Sequence, residues 1–197
     1  SVAVLTVDHC DLQQGDKVVI LGAGLIGNAC MQVARTAGAG LVAVTDVSAL
    51  RLMAARELGA DAVFDANTGD ALAWVKAVVG VGPYHFDEGG MADVVIEAAG
   101  APKTVQQSFE MVRSGGTIAF VGLPEEPALI DTTKIVHKAP RIVGVLGGDI
   151  VKSMELLASG LVNVAPLITH RFPLDEAPVA FEMQMRRTQS IKVLLKM

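Results

Sequence analysis

From residue 17 to residue 158 the chain alternates short β-branched runs with longer stretches of helical period, and this alternation constrains its fold more than any other feature. Residues 17–21 (Lys-Val-Val-Ile-Leu) read as a strand, and residues 25–37 as a helix stopped by Gly38. A second strand over 41–45 closes at Asp46. Ser48 is placed to cap a helix that runs to Leu58 and ends at Gly59. A short strand over 62–65, a helix over 70–79 and a glycine-rich loop over 80–92 follow. The second half continues with a strand over 93–97, a helix from Pro102 to about Val112, a turn at Ser114, Gly115 and Gly116, and a strand over 117–121. A short helix from Asp131 to Lys138, a strand over 141–145 and a helix over 150–158 complete the pattern. Strands alternating with helices make an α/β fold with a parallel sheet covered on both faces. The uninterrupted apolar character of the strands fits burial on both sides. Six strands in this order define a doubly wound parallel sheet.

The last stretch departs from this pattern. Residues 164–172 read as extended, 174–185 as helical and 191–195 as a strand, after a sheet that is already complete. The expected division is 1–163 for the sheet domain and 164–197 for a C-terminal appendage belonging to a mostly absent second domain. At 197 residues the chain can bury a core without staples, and its two Cys make no disulfide framework. A net charge of −5 and only 4% aromatic residues argue against nucleic acid, which calls for clustered Lys and Arg and for stacking rings. Mean hydropathy is high, +0.47. Yet the uncharged stretch over 18–34 holds Gly22, Gly24, Gly27, Asn28 and Gln32, and is too short and too broken to span a bilayer. No basic stretch precedes an apolar one at the start, as a signal peptide would need. The expectation is a cytoplasmic protein with neither membrane nor nucleic-acid partners. The chain opens on Ser1, as a processed chain or a piece of a longer one does.

Residues 22–27, Gly22-Ala-Gly24-Leu25-Ile26-Gly27, carry the chemistry. G-x-G-x-x-G directly after a strand and opening a helix is the dinucleotide-binding (Rossmann) fingerprint. Gly22 allows the tight turn, Gly24 leaves no side chain in the way of a pyrophosphate, and Gly27 lets the helix pack close to the strand. The helix N-terminus offers free N–H groups and a positive dipole end to the phosphates. Asp46 follows Gly27 by 19 residues, at the end of the second strand. A carboxylate there accepts both ribose hydroxyls and repels a 2′-phosphate, which favours NAD over NADP. Arg51 pulls the other way, since an arginine in the next helical turn can flank the adenine or take that phosphate. Ala99-Gly100 and Val121-Gly122-Leu123 fall at the carboxyl ends of the fourth and fifth strands, where the ligand of such a fold lies. They are candidates to line the nicotinamide half. Each feature has a plainer alternative: Asp46 as a helix cap ahead of Val47 and Ser48, the glycine run as a bare strand–helix turn, and Gly100 and Gly122 as ordinary loop glycines.

The remaining polar residues carry less. Asp8, His9 and Cys10 are adjacent, so on a helix they diverge by about 100° each and cannot easily share a metal ion. Cys10 and Cys30 read as buried thiols. His85, His137 and His170 have no partner at ligand spacing, His170-Arg171 reads as a structural pair, and Met183 and Met185 read as core filler. Neither a nucleophile elbow nor a P-loop is present.

Four stretches resemble the coenzyme domain of the zinc-type medium-chain alcohol dehydrogenases, and within them the sorbitol (polyol) dehydrogenase branch. They are residues 22–27, 45–52 (Thr-Asp-Val-Ser-Ala-Leu-Arg-Leu), 112–117 (Val-Arg-Ser-Gly-Gly-Thr) and 162–174 (Val-Asn-Val-Ala-Pro-Leu-Ile-Thr-His-Arg-Phe-Pro-Leu). The resemblance covers nearly the whole chain. It implies NAD contacts at Ile26, Asp46, Arg51, Val121, Gly122, Leu123 and the stretch from Val145, with Lys192 approaching the pyrophosphate. It also implies a tail, from about Pro166, that completes a catalytic domain, an assembly of two or four copies, and oxidation of a small secondary alcohol or polyol to a ketone. By the same resemblance the catalytic zinc and its ligands lie upstream of Ser1. The chain is thus expected to be the NAD-binding portion of a zinc-dependent enzyme, inactive alone, with no catalytic residue or metal ligand of its own. Where the branch has an Arg-Tyr pair near the substrate, this chain has Leu146-Gly147-Gly148 in a slightly shorter segment, which argues against sorbitol itself. Two other functions stay compatible. One is a zinc-independent quinone or carbonyl reductase of the same superfamily, which Asp46 disfavours because such enzymes prefer NADPH. The other is a module that senses NAD(H) without chemistry.

Overall fold

In a computed structural model, which describes residues 1–85 and 87–197, the chain opens with helix α1 (Val2–His9) and strand β1 (Lys17–Leu21). Next come α2 (Leu25–Thr36), β2 (Leu41–Asp46), α3 (Ala49–Glu57), β3 (Ala62–Asp65) and α4 (Ala71–Val79). A hairpin of β4 (Val81–Tyr84) and β5 (Asp87–Gly90) leads to β6 (Ala92–Glu97), α5 (Pro102–Met111) and β7 (Val112–Phe120). The chain ends with α6 (Thr132–Lys138), β8 (Arg141–Gly144), α7 (Ile150–Ala158), β9 (Ile168–Pro173), α8 (Ala177–Met185) and β10 (Lys192–Lys196).

Six strands form one parallel sheet in the order β3-β2-β1-β6-β7-β8. With the hairpin set aside this is the doubly wound order 3-2-1-4-5-6, whose direction of winding reverses between β1 and β6. Side chains alternate along β1, so Val18 and Ile20 enter the core under α1, α2 and α3, while Val19 and Leu21 enter the one under α4 and α5. Full burial of each such side chain is worth about 1.5–3 kcal/mol, so the central strand is anchored from both faces. Helices α2 and α3 are followed by Gly38 and Gly59, both at φ +105°, as the sequence predicts.

Three expectations about the sheet and its connections change. Residues 80–92 are not a loop but largely the antiparallel β4–β5 hairpin, with residue 86 lying outside the described residues. Its glycines hide the alternation that signals a strand, and they are there because neighbours press in. A Cβ on Gly90 would sit 2.5 Å from the Met111 carbonyl oxygen, and one on Gly89 2.5 Å from Lys138 Nζ. Ser114, Gly115 and Gly116 do not separate two elements. β7 runs through them, and between the Ala92–Val112 and Val94–Thr117 pairs it takes up extra residues as an irregularity, with Gly115 at φ +67°. Ser48 stands at the N-terminus of α3, but its side chain makes no cap.

The tail forms its own two-stranded parallel sheet, β9 with β10, and α8 packs on it. Leu167 and Ile191 seat this unit against Ala54, Leu25 and Leu50. Gln32 of α2 reaches the same region, donating to the Asn163 carbonyl at 3.1 Å and accepting from the Asn163 N–H at 2.7 Å. Met185 is 73% exposed and is not core filler, because the face of α8 that carries it has no cover among the described residues.

Candidate functional site

The β1–α2 turn places the fingerprint at the carboxyl end of the central strand. Gly22 sits at φ +102°, and a Cβ there would lie 2.7 Å from the Ala99 amide nitrogen, so both conformation and packing demand glycine. A Cβ on Gly27 would run into the Gly22 carbonyl oxygen. Gly24 differs. Its φ of −66° and ψ of −170° suit any residue, and a Cβ would meet only Arg51 Nη1, 3.9 Å away. No packing contact explains a glycine at this position, and its N-cap place favours glycine over alanine only mildly. The space it leaves open lies at the N-terminus of α2, whose first turn carries Leu25 and Ile26, both half-buried.

Asp46 is buried at the end of β2 and pairs with the turn through its side chain. Oδ2 accepts from the Ala23 N–H at 2.6 Å, and Oδ1 accepts from the Ser48 N–H at 2.8 Å. The carboxylate thus ties the glycine turn to the start of α3, and its capping role is real. Each oxygen can still accept a further bond, so capping does not exclude a ribose. Arg51, in the first turn of α3, donates through Nε and Nη2 to the Ser190 carbonyl at 3.4 and 3.2 Å. That bond fixes its guanidinium, with Nη1 turned toward Gly24.

Across the point where the strand order reverses, the loops after β6 and β7 interlock. A Cβ on Gly100, at φ +63°, would lie 2.7 Å from the Leu123 carbonyl oxygen, and one on Gly122 would strike Glu97 Oε2 and the Gly100 nitrogen. Packing of one loop on the other accounts for both glycines. Ala99 and Leu123 face outward, Leu123 at 84% exposure, while Val121 and Gly122 are half-buried. Val145 is half-buried next to them, its N–H donating to the Phe120 carbonyl at 3.0 Å. Lys192 lies farther off in β10, lining a cavity of about 260 Å³ with Ala180, Phe181 and Gln184. The contact that binds this strand to the fingerprint is its neighbour Ile191 on Leu25.

Glu97 and Thr104 were not among the residues expected at the site. Glu97 is fully buried, and its Oε1 accepts from Ala99 N–H, Gly100 N–H and Thr104 Oγ1. An acidic residue closing an apolar strand three residues before Gly100 was the available signal.

No three His, Cys, Asp or Glu side chains come together as a metal site among the described residues. Asp8 pairs with Lys152, whereas Cys10 donates its Sγ–H to the Thr6 carbonyl, so the Asp8-His9-Cys10 trio is split. Burial pushes both thiols, Cys10 and Cys30, up to about 12. His85 and His137, distant in sequence, do meet, with ring centroids 4.4 Å apart. They lie beside Tyr84, Asp87 and Lys134, at the amino ends of the strands and away from the glycine turn. His170 stacks on Phe172 and its Nδ1 contacts Thr169 Oγ1.

A doubly wound sheet with this fingerprint is the architecture of dinucleotide-binding domains, and comparison with known proteins makes the class specific. The zinc-binding dehydrogenase profile matches residues 26–161, and the chain belongs to that family. Bovine sorbitol dehydrogenase is 35% identical over 201 residues, which take in 100% of this chain and 54% of that protein. L-threonine 3-dehydrogenase of Bacillus licheniformis is 36% identical over 186 residues, 92% of this chain and 51% of its own length. Among solved structures, a zinc-binding dehydrogenase candidate from Sinorhizobium meliloti, bound to NADP, is 32% identical with a TM-score of 0.83, over 98% of this chain and 56% of that one. The chain thus spans about half the length of the relatives it matches.

Proposed function

We propose that the chain is the cofactor-binding part of a zinc-dependent alcohol or polyol dehydrogenase, with residues 1–163 as the NAD-binding domain and 164–197 as a segment that completes a catalytic domain. The dinucleotide lies outside the carboxyl ends of the strands. Its adenosine ribose bonds to Asp46, with Arg51 alongside. Its pyrophosphate crosses Gly22, Gly24, Leu25, Ile26 and Gly27 at the α2 N-terminus, with Lys192 contributing charge from the tail. Its nicotinamide half rests on Ala99, Gly100, Val121, Gly122, Leu123 and Val145.

The observation that carries this reading is Gly24. Packing makes Gly22 and Gly27 glycines, whereas Gly24 needs a reason beyond packing and beyond the mild N-cap preference for glycine. A phosphate approaching the backbone is such a reason, and the uncapped N–H groups of α2 face the same space. Between the two cofactors, Asp46 favours NAD, because a buried carboxylate opposes a 2′-phosphate. The NADP in the Sinorhizobium relative points the other way. In this chain Arg51 spends two of its nitrogens on the Ser190 carbonyl and aims the third at Gly24, which supports a place beside the turn rather than over a 2′-phosphate.

When bound, NAD supplies the hydride acceptor for oxidation of a C–H(OH) carbon to a carbonyl. The residues of this chain bind and orient it. We assign the zinc ligands to the other half of the enzyme's length, since no three His, Cys, Asp or Glu side chains cluster among the described residues. Relatives that act on sorbitol and on L-threonine share this half about equally, so substrate choice is placed outside it, apart from the exposed Leu146-Gly147-Gly148 segment. Assembly into a dimer or tetramer and a cytoplasmic location belong to the same reading. No helix among the described residues is long and apolar enough to cross a membrane. The test is a titration with NADH and NADPH followed by cofactor fluorescence. Tighter NADH binding is expected, and equal or tighter NADPH binding would remove Asp46 from the ribose.

A further inference from the structure

We infer that Glu97 is a positioning residue that holds the nicotinamide-facing half of the site in shape. This rests on the NAD reading above. Glu97 ends β6 where the winding of the sheet reverses, paired to Leu21 on one side and Phe120 on the other, and it is 0% exposed. Its side chain serves one loop and its main chain the other. Oε1 accepts from the Ala99 N–H at 3.1 Å, the Gly100 N–H at 3.0 Å and the Thr104 hydroxyl at 2.7 Å, the last shared with the Ala101 carbonyl at 2.8 Å. The Glu97 carbonyl accepts from the Val121 and Gly122 N–H groups, both at 2.9 Å.

The two loops leave each other no slack, because Gly100 and Gly122 are each closed against atoms of the other loop. Their common reference is therefore Glu97. Its burial is costly, since Oε2 finds no hydrogen-bond partner and no cation pairs with the carboxyl among the described residues. A hydrophobic residue there would spare that cost but would free the Ala99 and Gly100 N–H groups. A dinucleotide laid from Asp46 over Gly24 has one direction left, across these loops. Glu97 thus sets the surface that the nicotinamide end meets, while the adenosine end is held by β2 and the glycine turn.

The test compares NADH with ADP-ribose, which lacks the nicotinamide, by calorimetry on the protein and on Glu97→Leu, Glu97→Gln and Thr104→Val. Glu97→Leu is expected to weaken NADH about tenfold, the equivalent of ~1.4 kcal/mol, with ADP-ribose within about twofold. Glu97→Gln keeps an acceptor oxygen and is expected to rescue NADH to within about threefold. Thr104→Val removes one donor from Oε1 with little change of shape, so it tests the same split even where Glu97→Leu does not fold. It is expected to weaken NADH about threefold and ADP-ribose not at all. Equal losses for both ligands, or an unchanged NADH affinity in folded Glu97→Leu or Thr104→Val, would overturn the inference. A wild-type protein that binds neither ligand overturns the NAD reading instead, so the two failures are told apart.

Discussion

Replacing Gly24 with Ala separates a ligand-driven glycine from a packing-driven one. Alanine adopts φ −66° and ψ −170° without strain, and its methyl would meet only the Arg51 guanidinium at 3.9 Å, an ordinary contact. Reduced freedom of the unfolded chain favours Ala by about 0.4–1 kcal/mol. Gly24 is also the N-cap of α2, where Ala is poorer than Gly by about 0.5–1 kcal/mol. The two offset, so stability should change by less than about 0.5 kcal/mol, or about 1–2 °C in Tm for a chain of this size. NADH affinity should fall about 30-fold, ~2 kcal/mol, because the methyl occupies the approach to the pyrophosphate. The paired control is Gly27→Ala. Its Cβ would run into the Gly22 carbonyl, costing about 3 kcal/mol and about 6–12 °C in Tm. Thermal unfolding and NADH fluorescence titration on the same preparations read both quantities. Wild-type NADH affinity in Gly24→Ala would refute the reasoning and reduce the fingerprint to a turn. So would a Tm loss like that of Gly27→Ala, since the glycine would then be explained by packing.

Asp46→Asn removes the charge that opposes a 2′-phosphate, and paired titrations should show the preference for NADH over NADPH shrinking about tenfold. Lys138 is 1% exposed and donates to the carbonyls of Phe109, Glu110 and Val112, so Lys138→Met should cost about 2–3 kcal/mol in chemical denaturation by orphaning them. Burial pushes the Lys138 ammonium down to about 8 from 10.5. Between those values the unfolded chain holds a proton that the folded chain has released, so stability contributed by this group rises with pH across that window. Relative to Lys138→Met, the wild type should gain stability from pH 8 to pH 10, and a flat difference would contradict the shift. Both thiols, raised to about 12 by burial, should resist iodoacetamide at pH 8 in the native protein and react once it is unfolded.

The parallel sheet and the fingerprint could be read from the sequence because each rests on local pattern. β1, β2 and β6 are largely apolar runs rich in β-branched residues, and Gly22, Gly24 and Gly27 fall at a strand–helix junction. The β4–β5 hairpin could not, because Gly82, Gly89 and Gly90 erase its alternation and are explained only by Met91, Lys138 and Met111 packing on them. Glu97 was visible only as the last residue of a strand. What sets it apart is a convergence of Ala99, Gly100 and Thr104 that no spacing rule describes. The meeting of His85 and His137 is likewise a product of tertiary folding, across a separation that sequence pattern does not bridge. Arg51 falls in the first turn of α3, close after Asp46 in sequence, but its anchor, the Ser190 carbonyl, comes from the far end of the chain.

The double attachment of Asp46 bears on how cofactor choice could drift or be redesigned. The side chain that would select NAD is also a clasp between the Ala23 and Ser48 amides. An exchange to a small neutral residue, the obvious step toward accepting a phosphorylated ribose, would open that clasp and leave two amides unpaired at the mouth of the site. If Asp46 holds the ribose as proposed, specificity and stability are inherited together at this position. A lineage or an engineer changing one must first bank stability elsewhere, or choose a residue such as Asn whose oxygen keeps the clasp half closed. On the NAD reading proposed above, Asp46 would act as a ratchet, slowing a change of cofactor even where selection would reward it.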